Sequence, residues 1–412
     1  MDRTQNIGRK NQIIDGAVFI MLLAVISVVT FKLFYLQTLG DVNSDMKAYI
    51  LEMQGLESGY HFPYPVFFKF SALLHLLVSP EVSVALALVL MNGLAVSVTK
   101  LAFNRLALPG GKPDWRTGIF LSLLACSLFF ISMLYPPEGI YLSGIRFRYL
   151  GVFTANPFHN ATYMAARPFA ILAFLWYGKL LPVYERKGGA KAADYLLFSL
   201  FLFLATMTKP SFTLVFVSGA GLLMLYRLFR AGFGNFLPTV QLGLCFIPTF
   251  LALLYQYAGV FVPGDGGEGG IGFCLGDVWA EYCDNIPLGI CLAMAFPLTV
   301  LVLNWRELKK NVAFRFSWLL YLVSFAEAFL LYEKGFRRVD FNFSWGYMYG
   351  IFFCHFSSLL LVTRQSIRIV RERGAGGKGR IWLLLLQWLV YVCHLVCGLL
   401  YFRDLLAEGT YY

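Results

Sequence analysis

The sequence predicts an all-α polytopic membrane protein of about eleven transmembrane helices, with one short helix lying in the outer interface. Three observations carry this. Apolar runs of about 17 to 25 residues, the length that crosses a bilayer core, recur from near one terminus to near the other. The composition is 58% hydrophobic and 17% aromatic but only 14% charged, which excludes a water-soluble globular chain. The basic residues gather in short loops between the runs, so the net charge of +11 is an orientation signal and not a footprint of nucleic acid. Residues 1–412 are therefore expected to form a single transmembrane domain with no soluble domain, in a multi-pass protein of the cell membrane with no nucleic-acid partner.

The first run, 14–39, follows Arg3, Arg9 and Lys10. It is too long for a signal-peptide core and lacks a small-residue cleavage site, so a retained span with a cytoplasmic N-terminus is expected. Residues 40–81 form the first outer loop. Within it the run 66–79 holds Lys69 and His75, follows Pro63-Tyr64-Pro65, and stops at Ser79-Pro80-Glu81. About 14 residues suit an interfacial helix better than a span. Spans are expected at 82–104, 117–135, 167–183, 194–208, 211–227, 237–260, 287–304, 315–333, 345–363 and 381–402. With 66–79 left on the outer interface, the basic loops at 105–116, 185–191, 227–230, 306–315 and 364–380 share the side of the N-terminus, and about 23 of the 34 Lys and Arg lie there. Counting 66–79 as a span would invert every later loop. No internal repeat is visible, so an inverted-repeat transporter lacks support. The eight cysteines show no metal-ligand spacing; Cys274 and Cys283 share one polar loop, as a disulfide or as two thiols.

The outer loops hold the polar residues that a scaffold does not need. Asp41 and Asp45 are four apart, so a helix there would place both carboxylates on one face, where apolar neighbours raise a carboxyl pKa and suit it to take a proton from a hydroxyl. The aromatic and proline-rich Tyr60-His61-Phe-Pro-Tyr64-Pro65 follows. The next outer loop carries Arg146 and Arg148, then Asn156-Pro-Phe-His159-Asn160-Ala-Thr-Tyr163 and Arg167-Pro168. Pro168 suits a first helical turn, so a helix N-terminus is expected at Arg167, gathering His159, Asn160 and Arg167 for a phosphate. The plainer alternative is that His159 and Asn160 cap the helix while the arginines reach headgroups. Lys209, directly before Pro210, either meets headgroups or anchors a lipid phosphate. Glu333, Arg337, Arg338, Asn342 and Trp345 suit a carbohydrate site, in which amides and carboxylates bond hydroxyls and an indole stacks on a sugar face. Glu327, inside the preceding span, is expected to turn into the bundle or stay protonated. His75, His355 and His394 read as packed residues. No metal site can be argued, because the acids of the first loop lack partners at ligand spacing.

The order of these parts resembles a GT-C type integral membrane glycosyltransferase. The shared features are an inside N-terminus, a first span ending in an outer loop with Asp41 and Asp45, an interfacial helix after Tyr64-Pro65, and outer loops carrying Arg, His and Lys. The phrases Asn156-Pro-Phe-His-Asn-Ala-Thr-Tyr, Lys209-Pro-Ser-Phe and Glu333 through Asn342-Phe-Ser-Trp345-Gly are similar to those of bacterial members. The resemblance implies transfer of a sugar from a polyprenyl-phosphate carrier to the hydroxyl of a glycan or lipid-linked acceptor on the outer face, for a cell-surface glycan. It implies Asp45 or Asp41 as the base, and Arg146, Arg148, His159, Asn160, Arg167 and Lys209 around the leaving phosphate. His61, Tyr64, Glu333, Arg337, Arg338, Asn342 and Trp345 would meet the sugar or acceptor. No cofactor is implied, and divalent metal dependence stays open. The competing classes are an O-antigen polymerase or ligase, which also sets outer-loop arginines on a lipid diphosphate, and a transporter or flippase for a lipid-linked sugar.

Overall fold

The computed structural model describes residues 3–59, 62–108, 113–135, 150–186, 188–260, 270–371 and 377–409. Each of the twelve apolar runs contains a helix. The chain begins with α1 (Arg3–Leu39), α2 (Met46–Gln54), α3 (Val66–His75), α4 (Pro80–Leu106), α5 (Trp115–Leu128) and α6 (Ala161–Leu180). It continues with α7 (Ala192–Thr208), α8 (Ser211–Arg230), α9 (Phe236–Leu244), α10 (Ile247–Val260) and α11 (Asp277–Ala280). It closes with α12 (Ile286–Leu303), α13 (Glu307–Lys310), α14 (Val312–Leu330), α15 (Ser344–Arg371) and α16 (Gly377–Glu408).

Seven of these are long and apolar enough to cross a membrane, α1, α4, α8, α12, α14, α15 and α16, and an eighth results if α9 and α10, bent by 49°, form one span. The protein is thus a polytopic helical membrane protein. The eleven spans expected would also need α5, α6 and α7. Of these, α5 and α7 are short, at 14 and 17 residues, and α6 has the length but carries Arg167 and Lys179. The all-α expectation needs one addition, a ribbon of β1 (Ile271–Phe273) antiparallel to β2 (Leu331–Glu333) with Ile271 opposite Glu333. Gly272 admits it, because a Cβ there would strike the ring of Tyr332.

The bundle is built inside out relative to a soluble protein. The least apolar of the seven long helices, α15, is buried along its whole membrane-length window, whereas the most apolar, α1, is largely exposed. Lipid is as apolar as leucine, so burial is driven by close backbone approach and by polar groups that need partners. Gly350 lets α15 press against Ser324 and the backbone of α14, and Gly346 lets it press against Val215 of α8. Far from these, Lys100 of α4 donates to Asp15 of α1 at 2.9 Å and to the Gly118 carbonyl of α5 at 2.7 Å, and this buried pair pins three helices together.

His355 and His394 pack together in the core with ring centroids 4.9 Å apart. His394 donates from Nδ1 to the Ser132 carbonyl at 2.6 Å and accepts the Phe296 backbone N–H at Nε2, 3.1 Å away. His75 bonds the Val78 carbonyl at the end of α3. Cys274 and Cys283 are both free and buried, so the disulfide alternative does not hold.

As expected, α3 is short, ten residues against α4. An aromatic cluster holds it and α2 in place: the Tyr49 ring lies 5.2 Å from Phe62 and 5.7 Å from Phe68. The expectation that Asp41 and Asp45 share a helical face is corrected. Helix α1 stops at Leu39, Gly40 takes φ 87°, and Asp45 is the N-cap of α2, so a turn separates the two acids.

Candidate active site

The site is assembled where α6 begins and where α7 breaks into α8. Helix α6 begins at Ala161, six residues before Arg167, because Asn160 accepts the Tyr163 N–H at 3.0 Å and caps it; Pro168 lies inside the helix. The expected N-terminus at Arg167 is therefore wrong, the alternative that Asn160 caps the helix holds, and Asn160 does more than cap. Its Nδ2 donates to Asp45 at 2.9 Å, while its Oδ1 accepts from Lys209 and from Thr162, each at 3.1 Å. A carboxylate can only accept and an ammonium can only donate, so this amide has one possible orientation. Asp45 also accepts from the Tyr49 hydroxyl at 3.2 Å, and Lys209 donates to Thr162 at 3.3 Å.

Lys209 reaches this point because of its neighbour. A residue preceding proline is pushed out of the helical region, and Lys209 is extended, with φ −163° and ψ 126°, between α7 and α8. Its ammonium lies 4.8 Å from the centroid of the Trp345 ring, which in turn lies 5.4 Å from the His159 ring. Trp345 donates to the Asn342 side-chain oxygen at 3.3 Å, and Asn342 donates to Glu333 at 2.8 Å. Arg337 approaches Glu333 at 3.4 Å. Asp45, Asn160, Lys209, Trp345, Asn342, Glu333 and Arg337 are thus one continuous chain of polar and cation–π contacts.

Beside it is a cavity of about 540 Å³. Lys209, Glu333, Arg337, Asn342 and Trp345 form its polar wall, and Tyr64 and Pro63 contribute from the first loop. The lining also has an apolar part: Leu214 of α8 with Phe250, Leu254 and Tyr257 of α10. Those four side chains are also exposed on the flank of the bundle, so the apolar part runs out to the surface that membrane chains would cover. Glu327 faces the cavity too, consistent with the expectation that it turns into the bundle.

Burial sets the ionisation of the polar groups. It pushes the Lys209 ammonium down to about 8, aided by the Arg337 charge and opposed by Asp45 and Glu333. It lowers His159 to about 3, with the Lys209 charge adding to the effect, so the imidazole is neutral at pH 7. Asp45 is exposed as a residue, but its carboxyl faces inward. Desolvation there raises its pKa, against the pull of Lys209 and the bonds from Tyr49 and Asn160.

Other expected residues fall elsewhere. Arg167 is buried and lines no part of the cavity. Its guanidinium bonds the Ala155 carbonyl at 2.7 Å and the Asn156 side chain, and lies over the Phe352 ring at 4.7 Å. Asn156 in turn donates to the Leu128 and Ile131 carbonyls, so Arg167 locks the loop before α6 to the end of α5. Arg338 pairs with Glu281 at 2.9 Å and sits over Tyr332, away from the cavity lining. Asp41 lies exposed in the turn after α1, outside the network. His61, Arg146 and Arg148 lie outside the described residues.

Two contributors escaped the sequence reading, Tyr49 and Thr162. Each had a local signal: Tyr49 is four residues after Asp45, on the next turn of α2, and Thr162 is two residues after the capping Asn160. Among the described residues no three His, Cys, Asp or Glu side chains are grouped to hold a metal ion. Comparison with protein-family models, with curated proteins and with solved structures finds no match.

Proposed function

We propose that this protein is a GT-C-like membrane glycosyltransferase that moves a sugar from a polyprenyl-phosphate carrier to an acceptor hydroxyl at the outer face of the cell membrane, for a cell-surface glycan. The observation that carries this is the cavity itself: exposed apolar side chains of α8 and α10 line it together with Lys209 and Arg337, and the Asp45 carboxylate lies one amide away from Lys209. An apolar chain with an anionic head and a sugar matches both parts of the lining. With α5, α6 and α7 as further spans and the bent α9–α10 pair as one, the count reaches eleven.

In this mechanism the carrier tail lies along α8 and α10 and its phosphate meets Lys209, with Arg337 nearby. The sugar occupies the Glu333, Asn342 and Trp345 wall, where amide and carboxylate bond hydroxyls and the indole offers its face. The acceptor approaches from the open side of Asp45. Its oxygen attacks the anomeric carbon, its proton passes to Asp45, and the bond from that carbon to the phosphate oxygen breaks with the electron pair leaving on the phosphate. Lys209 stabilises the charge that accumulates there, the larger contribution, and Asp45 supplies the general base, worth about 10² to 10⁴ in rate. The neutral His159 ring packs Trp345 without adding repulsion to a site that must receive Lys209 and an anion.

Profiling the surface glycan of cells carrying Asp45→Asn or Asp41→Asn tests this. Product is expected to vanish with Asp45→Asn and persist with Asp41→Asn, each protein being present at wild-type level. Unchanged glycan in both would defeat the assignment. A polymerase or ligase finds its specific support in Arg337 on the cavity wall; loss on Arg337→Gln with full tolerance of Asp45→Asn would favour that class.

A further inference from the structure

A second cavity, of about 680 Å³, opens at the opposite end of α14 and α15 and shares no lining residue with the first. Trp345 and Arg364 mark the two along α15; nineteen residues at 1.5 Å each separate them by about 30 Å. Five cations from three stretches of chain converge on this recess: Arg306 and Lys310 beside and on α13, Arg364 and Arg368 on α15, and Arg380 on α16. Glu307 is the one carboxylate in its lining. Five positive groups and one negative leave a net formal charge of +4 around one recess.

Loop charges that serve only orientation face water or headgroups singly. These converge, and the floor beneath them is built. Gln365 of α15 donates to Asn304 at 2.7 Å, and Asn304 donates to the buried Gln387 of α16 at 2.9 Å, so an amide relay ties the end of α12 to α15 and α16. Arg364 anchors its Nε on the Leu106 carbonyl at 2.6 Å, and its two terminal nitrogens make no bond to the described residues. A forked pair of donors held in this way matches two oxygens of one phosphate. Leucines of α12, α15 and α16 line the rest of the recess, as an acyl chain next to a headgroup would require.

We propose that this recess binds a phosphate group, presented as the headgroup of an anionic phospholipid or as free phosphate, at the end of the bundle opposite the Lys209 cavity. The site is independent of the glycosyltransferase assignment. An anion that enters meets this excess of positive charge, so occupancy stabilises the fold by linkage.

The test uses the full-length protein in nanodiscs of phosphatidylcholine, of phosphatidylcholine with phosphatidylglycerol, and of phosphatidylcholine with added inorganic phosphate, read by thermal melting. The wild-type midpoint is expected to rise with an anionic probe. Arg368→Gln with Arg380→Gln should lose that rise and bind the probe at least about tenfold more weakly. Arg230→Gln, which removes an exposed basic residue at the end of α8 outside the recess, should keep it. Because Arg306 and Lys310 are exposed, Arg306→Gln with Lys310→Gln repeats the test without touching α15 or α16. A rise from phosphatidylglycerol alone assigns the ligand to lipid, and a rise from inorganic phosphate as well assigns it to any phosphate that reaches the recess. Equal rises in wild type and in both pairs, or none in the wild type with either probe, would overturn the site.

Discussion

At the scale of residues, Asn160 joins two roles that are usually separate. One amide caps a helix, holds a carboxylate on its nitrogen and an ammonium on its oxygen. Lys209 is the group whose behaviour is most open to measurement. Its pKa is held near 8, below its ordinary 10.5, chiefly by burial. The ammonium is therefore present below about pH 8 and is lost as pH rises through that value, taking anion binding with it. For stability the sign is opposite: keeping a buried ammonium costs folding free energy below about pH 8, and the cost fades between there and 10.5. Binding of a polyprenyl phosphate, titrated against pH in detergent, is expected to fall as pH rises through about 8 in the wild type and to stay level across that interval in Lys209→Arg. A decline at the same pH in both would remove Lys209 from the phosphate contact.

At the scale of elements, α15 is the axis of the bundle, and its glycines are the reason it can be. A Cβ on Gly350 would meet Ser324 and come within 3.1 Å of the Tyr321 Cα, so backbone as well as side chain would have to give. Gly350→Ala is expected to destabilise the protein by about 1 to 3 kcal/mol in a denaturation measurement. Gly178→Ala in α6, where a Cβ meets open space, should be neutral or stabilising by up to about 1 kcal/mol. Equal effects at the two positions would mean that α14 and α15 do not approach as described. The elements were legible in the sequence wherever hydrophobicity alone defines them: each of the twelve apolar runs contains a helix, and the truncation of α3 follows from Pro65 and Ser79-Pro80. The start of α6 was legible only as the alternative, a cap at Asn160, because Arg167 and Pro168 interrupt the apolar run and imitate a helix N-terminus. An arginine in an apolar helix reads as a headgroup anchor, and only the three-dimensional contacts with Asn156, Ala155 and Phe352 reveal it as a clamp. The β1–β2 ribbon was hidden in the same way, since three-residue strands beside a glycine-rich loop carry no periodicity to read.

At the scale of the whole molecule, polar chemistry is divided between the two ends of the bundle. Tyr64 and Lys209, distant in sequence, line one cavity with Glu333, Arg337, Asn342 and Trp345. Asp45 and Asn160 join them through Lys209, whereas Arg167 is buried against Asn156 and Ala155, Arg338 pairs with Glu281, and Asp41 lies exposed in the turn after α1. Composition marked which loops were polar, but which side chains turn inward depends on contacts between helices that are distant in sequence. The central claim is that a lipid phosphate is held at Lys209 with its tail on α8 and α10. An experimental structure with a polyprenyl-phosphate sugar bound tests it most directly. Phosphate density about 3 Å from the Lys209 Nζ, with chain density against Leu214, Phe250 and Leu254, is the expected result. Phosphate density only at the Arg364 recess, with the Lys209 cavity closed to the lipid, would contradict the account.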